Sequence, residues 1–224
     1  ATNEQIKDLL RSFRIEQDSR LATNANAGLM SAADKIKLDN MQIDYESGPV
    51  DWLAVKAADI DFAICRTGYG KSNYDERFIA NVSGAHDAGL ICGAYHYSYA
   101  LTPADAAQEA NFCKQIISDA GCLLELPVFF DMEDADGYKK RHNFFFMKKH
   151  VTNIYKAFLD NIKPLNTGVY ASYSWLENFI DWRSLGCAIW NTQWGSRDFI
   201  QGFMWQYTDS LYIGGKKFDA NILY

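Results

Sequence analysis

PVFFDMEDADG, residues 127–137, joins an apolar run to a cluster of acidic side chains. Three β-forming residues follow the proline, and such a run bounded by a turn signal predicts a strand buried on both faces. Asp131 and Glu133 come at the end of this run. Because side chains alternate along a strand, both carboxyls are expected on the same side, with Cα atoms roughly 6.6 Å apart.

Two carboxyls on one side of an apolar strand end are costly to bury. Desolvation and mutual repulsion would raise the pKa of at least one of them, which is how a protein obtains a general acid that works near neutral pH. A solvated acidic loop is the alternative interpretation. A calcium loop is excluded by the spacing, because one position that needs an acid holds Met132 and the closing position holds Asn143.

Composition indicates a globular protein and narrows its partners. Of 224 residues, 48% are hydrophobic and 15% aromatic, enough for one good-sized domain with a large core. The net charge of −6 and the lack of a basic run argue against nucleic acid as a partner. No nucleotide-binding glycine motif follows a predicted strand, so a redox or nucleotide-dependent role is not expected.

The cysteines and histidines show no metal-binding pattern. The five cysteines are widely spaced, and Cys65, Cys92 and Cys113 fall in apolar segments, which predicts buried free thiols rather than disulfides. The four histidines lack ligand spacing, so neither a metal nor another cofactor is expected. The sequence has no signal peptide pattern and no apolar run long enough to span a membrane.

Residues 1–40 differ in pattern from the rest of the chain. Apolar residues at helical spacing over residues 6–13 predict a short amphipathic helix, and residues 20–28 are small and polar like a linker. Ser31 followed by Asp34 predicts the start of another short helix. Six acidic and six basic residues make this arm neutral. With one apolar stripe and no core, the arm must dock on its own domain, a second copy or a larger assembly.

Residues 41–224 alternate between strand and helix patterns. This alternation predicts βα units and a largely parallel sheet that closes into a reduced TIM-like β/α barrel, whose last strands lack full helices. Besides the acidic strand, strands are predicted at 41–45, 60–66, 90–99, 167–171, 186–190, 202–207 and 218–223. Helices are predicted at 50–58, 75–88, 144–161 and, after the N-cap Thr102, up to residue 120.

Polar side chains gather at the predicted carboxyl ends of these strands, where the active sites of such barrels lie. Carboxyls and tyrosines from separate strands would therefore face one mouth. The residues at or just past strand ends are Asp44, Tyr69, Tyr97, Asp131, Glu133 and Tyr170.

Seven motifs follow one another in an order that resembles glycoside hydrolase family 25, the lysozymes (N-acetylmuramidases) of phage lysins and bacterial autolysins. They are IDFAICRTGYG, then Asp75 with Phe78 and Asn81, AGLICGAYHYSYA, FFDMED, GVYAS, MWQYTD and a final Asp219-Ala220-Asn221. The resemblance covers roughly residues 41–224.

The resemblance implies a flattened β/α barrel that cleaves the β-1,4 bond between N-acetylmuramic acid and N-acetylglucosamine in bacterial peptidoglycan. By the same resemblance, Glu133 is the general acid and Asp131 its partner carboxylate. Asp44 and Asp219 match the acidic floor of the family groove. Whether the reaction retains or inverts configuration stays open, with substrate assistance by the 2-acetamido group as one route. The implied aromatic groove positions are Tyr69, Tyr97, Tyr170 and Trp205.

Two segments depart from the family pattern. The family start reads something like D-V-S-x-W-Q-G-x-I-D-W, whereas this chain has the shorter IDYESGPVDW without the aromatic-Gln-Gly element. The chain also has IWNTQWG where IW-x-A-Q-Y is typical. The first departure concerns one edge of the groove and the sugar substituents it accepts.

The segment GLMSAADKIKLDN of the arm resembles a short sequence found in phage tail and tail-fibre proteins. It favours a phage lysozyme carried on the tail of the virion, with other tail proteins or a second copy as partners of the arm. A free endolysin released at host lysis is the competing interpretation. Two further alternatives are a non-catalytic module that binds wall glycans and a structural tail component.

Overall fold

The computed structural model of the protein describes residues 38–224. The predicted helices and linker of the arm therefore lie outside the described residues. Within 38–224 the chain forms nine strands, of which eight close into a barrel. The strands are β1 Leu38–Ile43, β2 Phe62–Tyr69, β3 Asn73–Tyr74, β4 Ile91–Tyr97, β5 Val128–Asp131, β6 Thr167–Ser172, β7 Ala188–Thr192, β8 Met204–Ile213 and β9 Lys216–Leu223.

The order of strands around the barrel is β1-β9-β8-β7-β6-β5-β4-β2, and pairing of β1 with β2 closes it. Neighbouring strands from β1 and β2 round to β7 and β8 are parallel. β9 is antiparallel to both β8 and β1, and β3 extends β2 as a hairpin. The predicted β/α barrel with a reduced final part is confirmed, because no α-helix separates β7, β8 and β9.

Alternation along β5 places its aromatic residues in two different layers. Phe129 lies inside the barrel, with its ring centroid 5.1 Å from that of Trp190. Phe130 points outward and stacks on Phe158 of a surrounding helix at 4.1 Å. Gly168, opposite Phe129 in the ladder, leaves room for the ring, since a Cβ there would lie 2.5 Å from a ring atom. Asp131 has the parity of Phe129, so the fold directs its carboxyl to the barrel mouth.

The surrounding helices are amphipathic segments whose apolar sides cover the sheet. The longest, Pro103–Ala120, starts as predicted: Thr102 caps it in a capping box with Asp105, and proline occupies its first turn. The predicted inward positions Ala106, Ala110, Cys113 and Ile117 are buried, as are Cys65 and Cys92. The helices are α1 Trp52–Ala57, α2 Phe78–Asp87, α3 Pro103–Ala120, α4 Tyr138–Arg141, α5 Lys148–Asn161 and α6 Tyr173–Asn178.

Several predicted boundaries are wrong by a few residues. The first strand is Leu38–Ile43 rather than 41–45, because its antiparallel partner β9 extends the pairing back to Leu38. The helix predicted over 144–161 begins at Lys148, since the aromatic residues before it pack in a loop. Among residues 38–224, no helix combines the length and apolar composition needed to cross a membrane.

Candidate active site

Asp131 and Glu133, called the acidic pair below, lie at the barrel mouth where β5 ends. Asp131 is only 2% exposed, and its Oδ1 has no hydrogen-bond donor among the described residues. Glu133 is half-buried. Burial, together with repulsion between the two carboxyls, raises the pKa of Asp131 well above its usual value, and burial also raises the pKa of Glu133. The pair therefore keeps a proton at a higher pH than two free carboxyls would.

Tyrosines from β2 and β4 border the acidic pair on one side. Tyr97 ends β4 opposite Asp131 in the ladder, and burial followed by repulsion from the acidic pair raises its pKa. Tyr69 ends β2 and is 36% exposed. Both rings meet Tyr99 edge-on, at 5.3 and 5.9 Å between centroids. Together they line an open cavity of about 870 Å³ that reaches Asp136, just past the acidic pair.

Arg66 of β2 links two carboxylates across this side of the mouth. Its Nη1 lies 3.3 Å from Asp44 Oδ2, and its Nε lies 2.9 Å from Oδ2 of the buried Asp75. Asp44, just past β1, also accepts hydrogen bonds from the backbone N–H and hydroxyl of Ser47. Asp44 is therefore a fully paired carboxylate. Arg66 was not predicted as a site residue, although it is the basic residue within the motif IDFAICRTGYG.

A hydrogen-bonded chain borders the opposite side of the acidic pair. The Tyr170 hydroxyl donates to Gln206 Oε1 at 3.1 Å, and Gln206 Nε2 donates to Gln42 Oε1 at 2.9 Å and Asp219 Oδ2 at 3.2 Å. Burial and repulsion from Asp209 and Asp44 raise the pKa of Asp219 to about 6. Tyr170 and Asp219 both interact electrostatically with Glu133. Gln206 was not predicted as a site residue, although it directly follows Trp205 in the motif MWQYTD.

Trp205 is the predicted site residue that does not join this group. It alternates along β8 with Met204, which belongs to the barrel-interior cluster, and with the inward Gln206. Trp205 is 7% exposed and its indole Nε1 donates to Gln193 O at 2.8 Å, beneath the loop that follows β7. That loop carries the exposed Trp194, from the departing segment IWNTQWG. The remaining predicted residues, Asp44, Asp219, Tyr69, Tyr97, Tyr170, Asp131 and Glu133, all lie around the mouth.

Two buried charged residues beneath the acidic pair were also missed. Lys139 of α4 and Glu109 of α3 are each 1% exposed. Lys139 Nζ donates to Glu133 O at 2.6 Å, and Glu109 accepts from Ser98 Oγ at 2.6 Å. Glu109 lies on the face of α3 that was predicted to point inward, so its helical spacing indicated that it would be buried. Lys139 lies in a four-residue helix that has no sequence pattern of its own.

The fold and the site define a class: β/α-barrel proteins with paired carboxyls at the carboxyl ends of the strands. A family model described as glycosyl hydrolases family 25 matches residues 43–216. This span is more than half of the chain, and the chain belongs to this family, as its motifs indicated.

Individual relatives agree with this assignment. Lysozyme M1 of Streptomyces globisporus is 31% identical over 99 residues, which are 44% of this chain and 33% of that protein. The autolysin LytC of Streptococcus pneumoniae superposes with a TM-score of 0.74 at 20% identity, covering 84% of this chain and 47% of LytC. The catalytic domain of endolysin ply40, from bacteriophage P40 of Listeria monocytogenes, gives 0.68 at 22% identity, with 86% and 95% covered. The chain thus spans a third to a half of the first two relatives.

Proposed function

We propose that this protein is a lysozyme that cleaves the β-1,4 bond between N-acetylmuramic acid and N-acetylglucosamine in bacterial peptidoglycan. The observation that carries the proposal is the acidic pair, two neighbouring carboxyls at the end of β5 whose burial raises the pKa of both. Family membership and the similarity to a lysozyme support it. The structure of LytC in complex with a synthetic peptidoglycan ligand supports the choice of substrate.

Glu133 is the proposed general acid. It is the half-buried member of the pair, so a sugar in the groove can reach its carboxyl, whereas Asp131 lies almost wholly beneath the surface. Glu133 gives its proton to the glycosidic oxygen as the bond from that oxygen to the sugar C1 breaks. The departing sugar leaves with a neutral hydroxyl. A water molecule then attacks C1, supplying the new hydroxyl there and returning its other proton to Glu133.

Asp131 is the proposed stabiliser of the positive charge that develops on the other sugar. Delivery of the shared proton leaves both carboxyls ionised, so negative charge appears beside the sugar as its positive charge grows. Because Asp131 is only 2% exposed, it would act on the sugar mainly through its charge, from beneath Glu133. We favour substrate assistance by the 2-acetamido group of that sugar, whose carbonyl oxygen would attack C1.

The remaining mouth residues would bind the sugars. Tyrosine faces suit the apolar faces of sugar rings, while carboxylates and hydroxyls suit their hydroxyl groups. The cavity beside Tyr69 and Tyr97 would hold one part of the glycan, and a second cavity lined by Asp44 and Asp219 would hold another. The buried Tyr170 would act on the second through Gln206 and Asp219.

Digestion of purified peptidoglycan followed by borohydride reduction tests the proposal. Wild-type protein is compared with Glu133→Gln and with Glu177→Gln, an exposed glutamate on α6, as the matched control. Reduced muramic acid ends from the wild type and the control alone would support the muramidase assignment. Reduced glucosamine ends would instead mean cleavage of the other glycosidic bond.

The second candidate is a non-catalytic module that binds wall glycans. The altered segment IDYESGPVDW at the start of the barrel favours it, since one edge of the groove differs from the family pattern. In the same digestion, no new ends on walls of several hosts, with binding to those walls retained, would favour this candidate over catalysis.

We also propose that the protein is encoded by a phage and associated with its tail. The resemblance of GLMSAADKIKLDN to tail-protein segments supports this, as does the similarity to a phage endolysin. The predicted arm of residues 1–40 would act as a docking segment ahead of the catalytic barrel, except for Leu38–Asn40, which belong to β1 of the barrel. Light scattering of the full chain tests self-association through the arm: a multiple of 25.4 kDa supports it, and the mass of one chain contradicts it.

A further inference from the structure

Lys139 is a buried ammonium group directly beneath the acidic pair. Its side chain is 1% exposed, and Nζ donates to two backbone carbonyls, Glu133 O at 2.6 Å and Ser98 O at 2.7 Å. A lysine buried to this degree is costly unless its charge is balanced and its donors are used. Burying this cation beneath Glu133 therefore costs free energy of folding.

Carboxyls from three elements balance this cation. Glu109 of α3, Asp131 of β5 and Asp134 of the following loop raise the pKa of Lys139, against the larger lowering effect of burial. Ser98 joins Lys139 to Glu109, because its carbonyl accepts from the ammonium while its hydroxyl donates to Glu109 Oε2 at 2.6 Å. Glu109 also accepts from the backbone N–H of Tyr99 at 2.9 Å.

The backbone that carries the acidic pair is held at four points, one of which is the carbonyl of Met132, which accepts from the Tyr155 hydroxyl at 3.3 Å. Asp131 O accepts from the backbone N–H of Ser98 at 2.7 Å, and Glu133 O accepts from Lys139 Nζ. Asp134 Oδ1 accepts from the backbone N–H of Lys139 at 2.6 Å, which closes the loop on itself. The contact at Glu133 O comes from the side chain of Lys139 and not from the hydrogen-bond ladder of the sheet.

We propose that Lys139 is a positioning residue of the active site, which fixes Glu133 through its carbonyl oxygen and supplies the buried positive charge that tunes proton release from the acidic pair. This inference rests on the proposed lysozyme function and deepens it. The charge of Lys139 opposes proton binding by both members of the pair. The other titratable groups that act on Glu133 or feel its charge are Asp219 of β9, Tyr97 of β4, Tyr170 of β6 and Tyr155 of α5. Arg66 of β2 also opposes proton binding by Asp131.

Lys139→Met removes the contact and the charge while keeping most of the side-chain volume. We expect kcat for peptidoglycan cleavage to fall about 10- to 100-fold with KM changed less than about 3-fold, because a small displacement of the acid weakens catalysis more than binding. Loss of the cation should also move the alkaline limb of the pH–rate profile up by about one pH unit, since Glu133 then holds its proton more tightly.

Lys114→Met is the matched control. Lys114 lies on α3 and also donates to a backbone carbonyl, Asn161 O at 2.9 Å, but it is only half-buried and interacts with no member of the acidic pair in the described structure. This variant should keep both kcat and the alkaline limb. Lys139→Arg, which keeps the charge, should keep the limb near its wild-type position even where packing lowers kcat.

Lys139→Gln covers the case in which the methionine variant does not fold. Its amide can still donate to both carbonyls, so it should retain more activity than Lys139→Met yet show the same upward movement of the alkaline limb. A folded Lys139→Met or Lys139→Gln with wild-type kcat and an unmoved limb would overturn the inference. An inactive wild-type protein in the same assay would instead refute the proposed function itself, and this inference with it.

Discussion

Two carboxyl sites open onto the same end of the barrel, and they differ in what surrounds them. At the end of β1, Asp44 receives hydrogen bonds from Ser47 and an ion pair from Arg66. At the end of β5, Asp131 is more deeply buried, and its Oδ1 has no donor among the described residues. Near the second site, the ammonium group of Lys139 donates its hydrogen bonds to backbone carbonyls rather than to a carboxylate.

The difference separates carboxylates that build the groove from carboxyls suited to proton transfer. Asp44 has its hydrogen bonds and its ion pair within the fold, so it is suited to shaping and anchoring one wall. Burial, and repulsion and hydrogen bonding with the neighbouring Glu133 carboxyl, favour the protonated state of Asp131. The acidic pair is therefore suited to proton transfer, because Asp131 Oδ1 lacks the hydrogen-bond donors and the ion pair that Asp44 has.

Glu133→Gln should have the largest effect. Removing the proposed acid should lower kcat about 10²- to 10⁴-fold, the usual contribution of general acid catalysis. The amide is isosteric, so the unfolding midpoint should stay within a few degrees of the wild type. Reducing-end release and thermal unfolding measure the two effects, and a variant with a near-wild-type rate would eliminate Glu133 as the acid.

Asp131→Asn should separate activity from stability. We expect kcat to fall about 100-fold, because the neutral amide cannot stabilise positive charge on the sugar. The midpoint of urea unfolding should rise or stay level, since the change removes a carboxyl that is buried beside another carboxyl. A clear loss of stability in this variant would contradict our account of the acidic pair.

At the Asp44 site, Arg66→Met should lower the stability of the protein, whereas Asp131→Asn should not. Arg66→Met removes one ion pair from the buried Asp75 and one from the half-buried Asp44, so the free energy of unfolding should fall by about 2 to 3 kcal/mol. Urea denaturation measures this loss. Arg183→Met provides a surface control, because that guanidinium lies over the ring of Trp182 and pairs with no carboxylate in residues 38–224. Equal losses of stability in Arg66→Met and Arg183→Met would mean that the ion pairs of Arg66 do not stabilise the fold.

The pH dependence of stability should have the smallest effect and depends on Glu109. Burial raises its pKa to about 7, above the ordinary value of a free glutamate, so the folded state binds this proton more tightly than the unfolded state. The resulting stability is present below about pH 4 and is lost as the pH rises through about 7. Unfolding free energies should therefore fall by roughly 1 to 3 kcal/mol between pH 5 and pH 8.

Glu109→Gln sharpens this measurement. The substitution removes the titrating proton but keeps an oxygen that can accept from Ser98, so the fall between pH 5 and pH 8 should become shallower. The raised pKa of Asp219, at about 6, contributes in the same direction and should account for part of the remaining slope. An unchanged slope in Glu109→Gln would mean that this carboxyl does not titrate in that range.

Sequence patterns predicted the elements with strong local signals and missed those without them. Thr102, Pro103 and Asp105 specify the start of α3 through contacts within four residues, and the helix begins where they indicate. The two-residue strand β3 and the four-residue helix α4 have no such period, so they were not predicted. The first strand was misplaced because its start depends on pairing with β9, almost two hundred residues away in the chain.

The sequence by itself determined the barrel class, the family and the position of the acidic pair at the end of an apolar strand. These properties depend on short-range periodicity and on motif order, both of which can be read along the chain. Only the tertiary structure decided the partners of each carboxyl: Arg66 for Asp44, Gln206 for Asp219, and Lys139 beneath Glu133. Those contacts depend on how separate strands and helices meet at one mouth, and a charged residue buried by that meeting looks in the sequence like any charged residue on the surface.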